Sequence, residues 1–299
     1  MSERIIPTAC TLCPRRCGAD RTRSLGRCGG GSKVKVARAA AHYWEEPCIS
    51  GTRGSGAVFF SGCALGCVFC QNREISAGNF GKELTVAELA DVFRRLESTG
   101  VHNLNLVTAG HYTPWVVAAL ERAKPRIPVV WNSGGYESLD TLRMLDGLVQ
   151  VYLPDLKYRS DALAARYSGA GDYFERASAA IVEMHRQVGA CVFDDDGILQ
   201  KGVLVRHLVL PGHADDSIAV FEALCDLVPT DEILVGLMSQ YTPPAAAPQG
   251  FPPELARRVT QDEYALVADA VEALGFEGYE QGAESADETY TPPFDLEGL

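Results

Sequence analysis

Ten cysteines are spread unevenly along this 299-residue chain, and two groups of them have spacings that could do chemistry. Cys63, Cys67 and Cys70 form C-x3-C-x2-C inside Phe60-Ser61-Gly62-Cys63-Ala64-Leu65-Gly66-Cys67-Val68-Phe69-Cys70-Gln71-Asn72, with the aromatic Phe69 just before the third cysteine. Three thiolates on one short loop can hold three irons of a cubane and leave the fourth iron without a protein ligand. Soft sulfur binds iron and delocalises the charge of such a cluster. Zinc normally takes four ligands, and no fourth Cys or His lies close by in sequence. Gly62 and Gly66 let the loop close tightly.

The second group is Cys10-x2-Cys13-Pro14-x2-Cys17-x10-Cys28. Four ligands suit a closed zinc or mononuclear iron site, and equally a second [4Fe–4S] cluster. Spacing does not separate these options. Residues 10–31 are rich in glycine and cannot bury much apolar surface, so bound metal would have to hold them together. Arg15, Arg16, Arg21 and Arg23, interspersed among these cysteines, could neutralise thiolates or simply be solvated, and the latter is the more usual. Cys48, Cys191 and Cys225 have no partner at useful spacing, and the last two read as ordinary core or surface residues.

The elements that must position these residues follow from periodicity. Ala57–Phe60 reads as a short buried strand leading straight into the cysteine loop. A helix is expected over 85–98 with Thr85 as N-cap, and another over 114–123 with Pro114 near its first turn. Further strands fall at 103–107, 128–131, 149–154, 202–210 and 233–238. Helical patterns fall at 138–147, 160–167, 171–188, 215–227 and 260–274. A Pro-rich loop crosses 242–253, and the residues after Gly275 read as an acidic extension. Strand and helix thus alternate about six times, which requires a parallel sheet with helices outside. Six units are too few for a closed eight-fold barrel. The expected fold is α/β, a partial (β/α)6 TIM-like barrel over 51–250. A small N-terminal cysteine-rich segment (1–50) precedes it, and a C-terminal helix and acidic tail (251–299) follow.

Active-site residues should then gather at the C-terminal ends of the strands. Leu153-Pro154-Asp155-Leu156-Lys157-Tyr158 ends the fourth strand, and Asp155 and Lys157, two apart, share a face pointing into the barrel mouth. Arg206 and His207 lie on the fifth strand. Arg206 offers a planar donor fork, whereas His207 reads as a packing residue.

Composition narrows the classes. A formal net charge of −12 excludes general nucleic-acid binding, which needs clustered Lys and Arg. No apolar run approaches the roughly 20 residues that span a bilayer, and Met1–Pro7 lacks the apolar core of a secretory signal. A cytoplasmic location, away from membranes, is expected. No GxGxxG follows any strand.

C-x3-C-x2-C with an aromatic residue before the last cysteine resembles the signature of the radical S-adenosylmethionine (SAM) superfamily. The string EEPCISGTRGSGAVFFSGCALGCVFCQN (45–72) resembles the pyruvate formate-lyase-activating-enzyme-like branch, and most of all its members with an N-terminal C-x2-C-P-x2-C segment. The likeness continues through NSGGYESLDTLRMLDGLVQVYLPDLKY (132–158) and RHLVLPGH (206–213). It implies a [4Fe–4S] cluster on Cys63, Cys67 and Cys70, with the amine and carboxylate of SAM on the open iron. Reductive cleavage would give a 5′-deoxyadenosyl radical that abstracts hydrogen. A flavodoxin or ferredoxin would supply the electron, and a glycyl-radical enzyme or other protein would be the target. The alternatives are a small-molecule or peptide substrate, or an iron–sulfur electron carrier without SAM turnover.

The resemblance also implies that Phe69, Thr108, Gly110, Asn132, Ser133, Asp155, Lys157 and Arg206 line the SAM pocket, with a small cation beside Asp155. Two departures stand out. Asn132 replaces an Asp, which removes a negative charge from that cation site. Val107-Thr108-Ala109-Gly110-His111 stands where a Gly-Gly-Glu usually ends the second strand. The carboxylate that receives the SAM ammonium group is missing there, and Thr108 or His111 is left to substitute.

Overall fold

Strands covered on both faces need apolar residues at every position, and β2 (Ser55–Phe60) is buried throughout its length. The computed structural model describes residues 5–244, 249–282 and 292–299. Within them β2, β4 (Leu104–Val107), β5 (Val129–Ser133), β6 (Val151–Pro154), β8 (Leu199–Leu208) and β9 (Leu234–Met238) run parallel in that spatial order. Helices α3 (Val86–Ser98), α4 (Thr113–Ala123), α5 (Leu139–Arg143), α6 (Asp161–Ser168), α7 (Tyr173–Val188) and α8 (Ala214–Cys225) connect them. This is the expected partial barrel.

Local chemistry sets the helix ends. Thr85 caps α3 by accepting from the Glu88 amide while Glu88 Oε2 accepts from the Thr85 amide at 2.8 Å. Thr260 and Glu263 repeat the device on α9 (Gln261–Ala273). The helix expected over 138–147 stops at Arg143, and its last residues form turns up to Gly147, whose φ is +78°.

The sheet is wider than periodicity indicated. β1 (Val34–His42) pairs antiparallel with β2 and carries the short β3 (Lys82–Leu84) on its other side. β7 (Val192–Phe193) forms a small hairpin with β8. The residues after Gly275, expected to be an extension, begin with β10 (Glu277–Glu280), a parallel neighbour of β9. Residues 283–291 lie outside the described residues. The chain end then returns to β1: the Ala39 amide donates to Glu297 O at 2.9 Å, and the Leu296 amide donates to Ala37 O at 3.0 Å. Arg38 pairs with Asp295 and Glu297, and Phe294 meets the Phe59 ring edge-on at 5.7 Å.

Strand periodicity sorts the barrel interior. Val130, Val151, Leu153, Leu204 and Leu234 point inward low in the barrel and pack on Cys48 and Ile49 of the short α1 (Pro47–Ser50). This turn of helix stoppers the base of the barrel. It leaves Glu45 and Glu46, just before it, inside the barrel. Among the described residues no helix is long and apolar enough to cross a membrane.

Candidate functional site

One residue further along each strand face, the interior turns polar. Asn132, Asp155 and Arg206 follow Val130, Leu153 and Leu204 and open onto a cavity of about 230 Å³ at the strands' C-terminal ends. Cys63, Phe69 and Lys157 are on its wall, together with Cys67 and Cys70. The loop after β2 thus faces the ends of β5, β6 and β8.

Arg206 ties these ends together. Its Nε donates to Asp155 Oδ1 at 3.1 Å, Nη1 to Glu45 Oε2 at 3.0 Å, and Nη2 to Asn132 Oδ1 at 2.6 Å. Lys157 Nζ takes the other Asp155 oxygen. Although burial pushes the Asp155 carboxyl up, Lys157 and Arg206 outweigh it and hold the group below the ordinary Asp value. Both Asp155 oxygens are therefore occupied by the protein's own cations. Glu45 Oε1 also accepts from Asn105 at 2.9 Å and Asn132 at 3.1 Å.

The three loop cysteines have polar neighbours. Ser76 Oγ donates to Cys70 Sγ at 3.3 Å, and Cys67 Sγ lies 3.0 Å from Ser168 Oγ. Burial pushes the Cys63 and Cys70 thiols up, more strongly than Lys157 pulls them down. A cation is needed to hold thiolates there, and metal supplies one. Among the described residues no three His, Cys, Asp or Glu side chains are gathered into a metal-holding group. The fit to an iron–sulfur cluster therefore rests on donor chemistry, three soft sulfurs on one wall of one cavity.

The four-cysteine segment is fastened to this loop. The Cys63 amide donates to Cys28 O at 3.1 Å. A Cβ on Gly62, whose φ is +88°, would come within 2.1 Å of that same oxygen, so only glycine fits. The arginines expected to be solvated divide into two kinds. Arg23 is solvated, but Arg15 donates to Ala64 O and Ser168 O, each at 2.9 Å. Arg21, 1% exposed, donates to His111 O at 2.6 Å and to Cys28 Sγ at 3.4 Å, and lies over the Tyr112 and Trp115 rings. Burial first, and neighbouring cysteines as well, push the Cys10 and Cys13 thiols up. Cys17 is exposed.

At the strand end, Gly110 has a carboxylate for a neighbour. The Glu137 carboxylate, from the loop after β5, packs on the bare Cα of Gly110, where a Cβ would lie 2.5 Å from Oε2. Glu137, Gly110, Thr108 and Cys63 line a recess of about 30 Å³ that shares Cys63, Thr108 and Ser133 with the main cavity. Burial pushes the Glu137 carboxyl up to about 7, against the pull of Ser133. Thr108 has φ of +60°. His111 is committed elsewhere, 2.9 Å from Ser61 O, and burial pushes it down to about 4. His207 packs on Phe221 between Leu156 O and Ser217 Oγ, as its reading as a packing residue requires.

Sequence reasoning missed Glu45, Glu46 and Glu137 as site residues. The one available signal was two consecutive acids ahead of Pro47-Cys48-Ile49, a costly arrangement beside a buried turn.

Comparisons with known proteins agree with this geometry. The model of the radical SAM superfamily matches residues 57–225. An uncharacterized protein of Methanocaldococcus jannaschii is 29% identical over 269 residues, which cover 85% of this chain and 71% of that protein. A radical SAM methyltransferase from Sphaerobacter thermophilus superposes with a TM-score of 0.50 at 20% identity, over 77% of this chain and 68% of its own. HydG, a maturase of the [FeFe]-hydrogenase, gives 0.50 at 13% identity, over 84% of this chain and 57% of its own. At these identities the two solved structures speak for the fold. With more than half its length matched by the family model, and its motif cysteines on the cavity wall, the chain belongs to the radical SAM superfamily.

Proposed function

We propose that this chain is an iron–sulfur enzyme that reductively cleaves SAM and uses the product to abstract hydrogen from a substrate held in the barrel. The observation that carries the reading is the single cavity shared by Cys63, Cys67 and Cys70 and by Asp155, Lys157 and Arg206. The three cysteines would hold a [4Fe–4S] cluster. When bound and reduced, such a cluster supplies the electron that splits SAM into methionine and a 5′-deoxyadenosyl radical.

The chain's own residues do the positioning. Glu137, in its recess beside Cys63, receives the ammonium group of SAM in place of the missing strand-end carboxylate. Lys157 and Arg206 present positive charge to the SAM carboxylate, while Asp155 keeps both in place. Because Lys157 and Arg206 already occupy both Asp155 oxygens, Asp155 is not free to hold a small cation beside SAM. Thr108, Asn132 and Ser133 supply polar edges, and Phe69, edge-on to Tyr241 at 6.1 Å, closes the loop side against water.

Activation of a glycyl-radical enzyme, as the activating-enzyme likeness implies, and attack on a small molecule or peptide both draw on this chemistry. The carboxylates at the cavity base favour a substrate with a polar group that enters the barrel. A glycine backbone would give them only an amide N–H. The test is anaerobic reconstitution with iron and sulfide, reduction, and measurement of 5′-deoxyadenosine released from SAM. Release by the intact protein and none by Cys67→Ala is the expected result. Equal release by both, or an intact protein with a full cluster and no release, sinks the reading and leaves an electron carrier.

A further inference from the structure

The cavity base holds one more carboxylate than its cations use. Glu45 and Asp155 both bond Arg206, and Asp155 also takes Lys157. Glu46 is 9% exposed, lines the same cavity, and its Oε2 has no hydrogen-bond partner among the described residues. It sits at the start of α1 but caps none of its amides. Its carboxylate presses instead on the bare Cα of Gly236 in β9, where a Cβ would lie 2.8 Å from Oε1. Gly236 is mid-strand, a position that glycine weakens unless another group needs the space. The barrel has cleared room for this carboxylate and left it without a donor. An unmet buried acceptor is costly unless a ligand supplies the donor.

Charge selects the donor. Three acidic groups, Glu45, Glu46 and Asp155, face two permanent cations, Lys157 and Arg206, on the cavity wall, and burial pushes the Glu46 carboxyl up to about 7 despite the pull of Arg206, so it needs a countercharge to ionise fully at neutral pH. His42, the remaining basic group there, is pushed down by burial and brings no charge at neutral pH. A hydroxyl would satisfy the bond but bring Glu46 no countercharge. A protonated amine would do both, with the stronger charge-assisted bond.

Resting on the reading of this cavity as the site of hydrogen abstraction, we propose that Glu46 anchors the substrate through a cationic nitrogen, so that the molecule attacked is an amine reaching down to the barrel base. The test uses the anaerobically reconstituted enzyme with SAM bound and two probes of equal size, butylammonium and 1-butanol. Calorimetry on the intact protein should show butylammonium binding about tenfold or more tighter than the alcohol. Glu46→Gln should abolish the preference. Gly236→Ala, which displaces the carboxylate without removing it, should do the same. SAM affinity should stay within about twofold in Glu46→Gln, because Glu46 contacts substrate alone. Equal binding of the probes, a preference that survives Glu46→Gln, or no butylammonium binding up to about 50 mM overturns the proposal. Loss of SAM affinity in Glu46→Gln overturns it too while leaving SAM cleavage standing. An intact protein that binds no SAM removes the reading beneath both.

Discussion

Arg206→Met should be among the most destabilising single changes in the barrel. The guanidinium bonds Glu45, Asp155 and Asn132 at 2.6–3.1 Å, its side chain is 14% exposed, and Glu45 is 9% exposed. Removing one member of a buried ion pair costs about 3–5 kcal/mol, because a charge is left uncompensated. Asp155 keeps Lys157, so the penalty falls mainly on Glu45, and the lower end, about 3 kcal/mol, is expected. At about 2–4 °C per kcal/mol for a chain of this size, the melting temperature should fall by about 6–12 °C. Adding Glu45→Gln to Arg206→Met should recover a good part of this, since a neutral amide still bonds Asn105 and Asn132. The assay is anaerobic thermal unfolding of the four members of that double-mutant cycle without SAM. The acid side gives a second check. A carboxyl held low when folded contributes stability above its unfolded value and loses it as pH falls through the folded value. Arg206→Met should therefore be less stable than the parent at neutral pH and converge with it in acid. A loss under about 1 kcal/mol, or additive single and double changes, would refute the argument that this ion network holds the strand ends together.

Glu137→Gln should raise stability in alkali: a carboxyl lifted from 4.5 to about 7 loses folding free energy as pH rises across that interval, by about 3 kcal/mol in all. The variant should therefore unfold later than the parent at pH 8 and equally at pH 4, by urea titration at each pH, while SAM affinity falls. Thr85→Ala should cost about 1 kcal/mol through loss of the α3 capping box, read as an earlier denaturation midpoint with unchanged iron content. In protein with Cys63, Cys67 and Cys70 all replaced by Ala, metal analysis should still find metal on Cys10, Cys13, Cys17 and Cys28. About one zinc or iron would mark a mononuclear site, and about four irons with sulfide would mark a second cluster. No metal, with residues 10–28 still resistant to protease, would show that Arg15, Arg21 and Cys28 hold the segment without it.

What was legible in the sequence shares one physical property: it depends on near neighbours. β2, β4 and β5 are covered on both faces, so their apolar runs declare them, and the Thr85–Glu88 box declares α3. β1 went unread because four of the nine residues in Val34–His42 are alanine and two are charged, and β10 because Glu-Gly-Tyr-Glu buries little. Both are made by pairing with a strand already in place, which leaves no periodic trace. The site divides along the same line. The cysteine loop, Asp155, Lys157 and Arg206 each follow or sit on a strand that could be placed, so a barrel of parallel strands brings them to one rim.

Glu45, Glu46 and Glu137 are positioned by long-range packing instead. The first two enter the barrel because Ile49 stoppers its base, and the third meets Gly110 because the loops after β4 and β5 are neighbours in a parallel sheet. That adjacency explains how a carboxylate on the loop after one strand comes to lie beside the end of its neighbour. Register sets Val107 opposite Asn132, so the turns leaving those residues cross the same patch of rim. A side chain a few residues along either turn can then fill one recess. Glu137 requires a residue without a side chain across from it, and Gly110 is that residue. The same holds for Glu46 and Gly236, where the glycine in the middle of β9 makes sense only once the carboxylate from the far end of the barrel is seen resting on it.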